Sequence, residues 1–202
     1  MIKDIDDLIK YTETVAQQFP VIEDEVRMTS PGCSPGEIKK LTDTLPNIPV
    51  NYMDVASSIR LAGISIGQFG LWPRPFGNCL VDAVITANCD NRNPHLKIYQ
   101  TYGLIEIARL EANPVCVADS KQGERSGQVF MVNAAASPDP FIVFLANGYR
   151  DLLLLAANVH SICLEYEDDP SDGLDKIREC LSAFGVRDSE QSFWLNLAEE
   201  MF

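Results

Sequence analysis

Helix-period and strand-period patterning alternate in blocks along this chain. In residues 2–19, Ile5, Leu8, Ile9, Val15 and Phe19 recur at helical spacing, and Pro20 predicts the end of that helix. Ser34-Pro35-Gly36-Glu37 reads as a helix start. Ser34 can cap, Pro35 suits the first helical position, and Glu37 completes a capping box. That helix is predicted to reach about Leu45-Pro46. Ile48-Pro49 opens the next, with Tyr52, Met53, Ala56 and Ile59 on one face and an end near Gly63. The glycines at 63, 67 and 70 fit turns and strands; they match neither a dinucleotide-binding nor a P-loop pattern. A short helix is predicted over 80–88 and a loop over 90–94.

Beyond residue 103 the period shortens. Strand-like runs at 104–110, 115–118, 128–132 and 141–145 are joined by the polar links 119–127 and 137–140. Links this short suit an antiparallel meander, because parallel neighbours need a crossover of about a dozen residues or more. A helix follows over 148–163, and the leucines at 152, 153, 154 and 155 cover most of its circumference, so it should be packed on several sides. Asp169-Pro170 begins a further helix, stopped by Gly185. Asp188 with Gln191 can cap the last one, which carries Phe193, Trp194, Leu197 and Met201. Helices, then strands, then helices predict an α+β fold: a central antiparallel sheet flanked by helices. The expected organisation is one α+β domain over 1–165, with its core at about 30–165. A helical, acidic C-terminal extension, 166–202, should pack on it.

Charge sharpens this picture. The 202 residues carry 16 Lys+Arg and 29 Asp+Glu, a net of −13. Residues 1–30 hold a net of −4 and residues 165–202 a net of −8, so the middle of the chain is nearly neutral. Such a balance argues against direct binding of nucleic acid or an anionic membrane, both polyanions. No apolar run approaches the roughly 20 residues of a membrane span. The N-terminus, with Asp4, Asp6 and Asp7, lacks the basic start and apolar run of a secretory signal, and a cytoplasmic location is expected.

Catalytic and metal chemistry finds little purchase. The six cysteines, Cys33, Cys79, Cys89, Cys116, Cys163 and Cys180, form no C-x-x-C pair, and they read as small buried hydrophobes. The two histidines, His95 and His160, form no paired motif; His95 reads as a solvated loop residue and His160 as a hydrogen-bonded helix residue. A thiol enzyme would need Cys116 or Cys163 as nucleophile and His160 as base, assembled in space. Glu23-Asp24-Glu25 reads as solvated surface rather than a metal site. No catalytic, cofactor or metal site is expected.

Three segments together resemble the SUKH superfamily, a group named partly for yeast cell-wall assembly regulators. They are Ser34-Pro-Gly-Glu37-Ile38 leading to Leu45-Pro46 and Ile48-Pro49-x-x-Tyr52; Tyr102-Gly103-Leu104 through Ala112-Asn113-Pro114-Val115-Cys116-Val117-Ala118; and Gly127-Gln128-Val129-Phe130 through Leu145-Ala146 into the helix from Tyr149. The likeness covers about 30–165. Tyr149-x-x-Leu152-Leu153 stands where the family usually has phenylalanines. The resemblance implies a central antiparallel sheet flanked by helices and no conserved catalytic set. It also implies the work of the bacterial members: immunity proteins that bind a cognate toxin domain, often a nuclease. The fungal members suggest the alternative of a regulatory scaffold. Physically, an acidic surface can compete for the Lys/Arg face that a nuclease presents to phosphate. The candidate partner-binding residues are Glu165, Glu167, Asp168, Asp169, Asp172 and Asp175, and their plainer reading is a solubilising face with acids at a helix N-terminus.

Overall fold

The computed structural model describes residues 1–77, 79–133 and 141–202; the predicted link 137–140 lies outside them. Helix α1 (Ile5–Gln18) is capped by Asp4, whose side chain accepts from the Asp7 amide at 2.9 Å. It buries Leu8, Thr12, Val15 and Ala16. A 3-10 turn at Pro20–Ile22 leads into the four-residue helix α2 (Glu23–Val26), which gives the acidic triplet a helical backbone that the sequence pattern did not announce. Helix α3 (Pro35–Thr44) starts on the expected capping box of Ser34 and Glu37.

Helix α4 (Val50–Ser58) stops short of the predicted Gly63. Its last carbonyls are claimed from outside: the Gly32 amide donates to Ser57 O at 3.1 Å and the Cys33 amide to Ala56 O at 2.7 Å. A Cβ at Gly32 would fall 2.2 Å from Ala56 O, so only glycine permits this approach.

The six described strands form one antiparallel sheet in sequence order: β1 (Ser65–Ile66), β2 (Phe69–Gly70), β3 (Leu104–Leu110), β4 (Asn113–Ala118), β5 (Val129–Asn133) and β6 (Phe141–Ala146). The predicted meander is present, and the α+β class with it. Side chains alternate across the sheet, as the two-residue period requires. Val115, Val117, Val129 and Met131 join the main core with the central helix α7 (Tyr149–Glu165), while Cys116, Ala118, Phe130 and Val132 form a smaller cluster on the other face. Two helices lie between β2 and β3: α5 (Leu80–Cys89) and α6 (Leu96–Tyr102), the latter ended by Gly103 at φ 63°. Sequence patterning leaves α6 out. Its seven residues, Leu-Lys-Ile-Tyr-Gln-Thr-Tyr, favour strand as much as helix, and His95 offers no side-chain cap. Packing of Tyr99 onto the smaller cluster decides the matter.

The four leucines of α7 are all buried, together with Ala156, Ala157 and Val159. Helices α8 (Pro170–Ala183) and α9 (Ser192–Glu199) supply Ile177, Leu181, Trp194, Leu197 and Ala198 to the same main core. Residues 166–202 therefore complete the domain. The predicted cap of the last helix is rearranged. Asp188–Glu190 forms a 3-10 turn, and the Gln191 side-chain amide donates to Asp188 Oδ1 at 3.2 Å before α9 begins.

Candidate functional site

The acidic segment forms the corner between α7 and α8. Pro170 starts α8, and Asp169 caps it, accepting from the Asp172 amide at 3.2 Å. Glu165, Glu167, Asp168, Asp169, Asp172 and Asp175 are all exposed, spread over the end of α7, the turn and the first turns of α8. Asp175 pairs with Arg178 at 2.6 Å, while Glu165, Glu167, Asp168, Asp169 and Asp172 have no ion pair among the described residues. Asp169 has a local structural role, as the cap, that the others lack. A corner with so few compensating cations keeps a negative field that water and salt screen only partly.

The structure does not bring Cys116 and His160 together. Cys116 lies on the α6 side of the sheet, in the smaller cluster, whereas His160 lies on α7, across the sheet. Cys163 shares α7 with His160, but burial pushes its thiol up to about 11 and holds that of Cys116 well above its ordinary value. Nucleophilic cysteines need the opposite shift. His160 is held below its ordinary value by burial, and its Nδ1 lies 2.7 Å from the Tyr11 hydroxyl. Burial also raises the Tyr11 phenol, so both partners are neutral, and the hydrogen bond between them joins α1 to α7. Among the described residues no group of three or more His, Cys, Asp or Glu could hold a metal ion. No described helix is long and apolar enough to cross a membrane.

A second polar constellation escaped the sequence pattern. Glu106, in the middle of β3, is fully buried, yet its carboxylate is served twice: by the Tyr99 hydroxyl at 2.6 Å and by Arg109 Nε at 2.8 Å. Asn88 of α5 accepts from the Glu106 amide at 2.8 Å and donates to Glu106 O at 2.9 Å. The Arg109 guanidinium stands 5.3 Å from the Phe76 ring centre. His95, read from sequence as a solvated loop residue, is instead half-buried beside Tyr99, with ring centres 6.3 Å apart, and burial lowers its pKa. The one signal in the sequence was a charged residue inside an apolar strand run. Its hydrogen bonds among the described residues join α5 and α6 to the sheet and lock them there.

Compared with family models, curated proteins and solved structures, the chain matches none.

Proposed function

We propose that this protein is a cytoplasmic immunity protein that binds a cognate protein toxin and neutralises it stoichiometrically, without catalysis, cofactor or metal. The observation that carries the reading is the exposed α7–α8 corner, where only Asp175 of the six carboxylates has an ion pair among the described residues. A corner of this kind attracts a partner with a basic surface, and a nuclease has one by necessity. The SUKH resemblance of residues 30–165 supplies the functional class. The raised thiols of Cys116 and Cys163 favour binding over thiol catalysis.

The test is capture of the neighbouring gene's product by the tagged protein, followed by a toxicity-rescue assay. Replacing the six acids by Asn or Gln is expected to weaken capture and flatten its salt dependence, and the Asp169→Asn change among them keeps a helix cap. Unchanged affinity and salt dependence would overturn the reading.

A further inference from the structure

An apolar groove lies between α1–α2 and the C-terminal end of α7. It has a volume of about 410 Å³ and is lined by Phe19, Ile22, Val26 and Leu164 together with His160 and Glu25. Large apolar side chains here face water: Phe19 is 47% exposed, Ile22 41% and Leu164 45%, and Val21 beside them is 99% exposed. Singly such residues mean little, but a concentration of them around one concavity marks an interaction surface.

The charges around it select the occupant. Glu25 lines the groove and Asp24 precedes it on α2; neither has an ion pair among the described residues. Arg27, which could have answered them, is held by Glu13 at 2.9 Å and Glu23 at 2.6 Å. A largely apolar groove with unpaired carboxylates at Glu25 and the adjoining Asp24 complements an amphipathic helix whose polar face is Lys/Arg. A second copy of this chain would bring acid against acid.

We infer that this groove docks a basic amphipathic helix of a protein partner, its apolar face against Phe19, Ile22 and Leu164 and its cations toward Glu25 and Asp24. The inference rests on the basic-partner reading above and places part of the contact on apolar surface.

The probe is a synthetic peptide of about five helical turns with Leu on one face and Lys on the other. Its affinity for the full chain is followed by fluorescence anisotropy at low and high salt. Ile22→Ser/Leu164→Ser is expected to weaken binding about tenfold or more at both salt concentrations, since exposed apolar contacts are lost without touching charge. Asp24→Asn/Glu25→Gln should instead flatten the salt dependence, and Val50→Ser, at another exposed apolar position, should change nothing. Equal affinity of wild type and the Ile22/Leu164 variant overturns the inference. So does a wild-type dimer in sedimentation that Leu164→Ser dissociates, or binding to zwitterionic vesicles that the same variant abolishes. The two readings fail separately: a groove variant that keeps toxin capture removes the groove alone, and loss of peptide with no toxin recognised removes the immunity role alone.

Discussion

Glu106 and Arg109, three residues apart on one strand, meet side chain to side chain at 2.8 Å. In a regular strand, positions three apart point to opposite faces. The register of β3 on β4 shifts between Glu106 and Ala108, where Glu106 pairs with Cys116 and Ala108 with Val115, so Ile107 is the extra residue of a β-bulge. The bulge reverses the phase. Leu104 and Glu106 face the smaller cluster before it, and Arg109 returns to that side after it, while Ile107 and Ala108 both enter the main core.

Breaking this pair should be costly. Arg109→Met leaves the Glu106 carboxylate in the interior without its cation, and a loss of about 3–5 kcal/mol is expected in urea unfolding. The double variant Glu106→Gln/Arg109→Met should lose clearly less than the sum of the single changes. Strict additivity would mean that the two groups do not act as a pair.

Tyr52 offers the opposite case. Its ring is fully buried against Tyr149, with centres 5.0 Å apart, and its hydroxyl has no hydrogen-bond partner among the described residues. A buried, unsatisfied hydroxyl carries a desolvation penalty of about 1–3 kcal/mol. Tyr52→Phe is therefore expected to be neutral or stabilising by about 1 kcal/mol, read as a higher urea midpoint at unchanged slope. A loss above that amount would reveal a partner for the hydroxyl.

Trp194 fastens the C-terminal helix to the sheet. Its indole N–H donates to Leu145 O at 3.0 Å, and its ring lies 5.5 Å from that of Phe69. Trp194→Ala should cost about 3–5 kcal/mol, and deletion of residues 166–202 should leave a chain without a cooperative thermal transition. A soluble, cooperatively folding 1–165 fragment would show instead that the C-terminal helices are dispensable.

Acidification should weaken the fold through His160. Burial lowers its folded pKa below the ordinary value, so the unfolded chain binds the proton more readily. The contribution is present above the unfolded pKa of about 6.5 and is lost as pH falls toward the folded value. His95 is shifted the same way and adds to the slope. Urea unfolding between pH 7.5 and 5.5 should show wild type losing more stability than His160→Gln, whose amide offers Tyr11 both a donor and an acceptor. Parallel pH profiles would remove His160 from the account.

Local rules read directly from sequence account for much of the frame. Ser34 and Glu37 cap α3 because both partners lie within one turn, and the short links after residue 104 leave only hairpin connections. The acids at 165–175 are exposed as expected, since charge without a partner stays in water. Where contacts join distant segments, the sequence was silent. Residues Gly32 and Cys33 end α4 from outside it, and Tyr99 turns a strand-like stretch into α6. The bulge at Ile107 hides a paired ion inside a strand, and α1, α2 and α7 meet around a groove whose walls lie over a hundred residues apart. Sequence by itself determined the class of fold, the capped starts of α3 and α8 and the acidic ends of the chain, because each depends on neighbours along the backbone. Only the tertiary structure decided which polar groups are satisfied inside and which apolar ones are left facing water, because those are properties of what folding brings together.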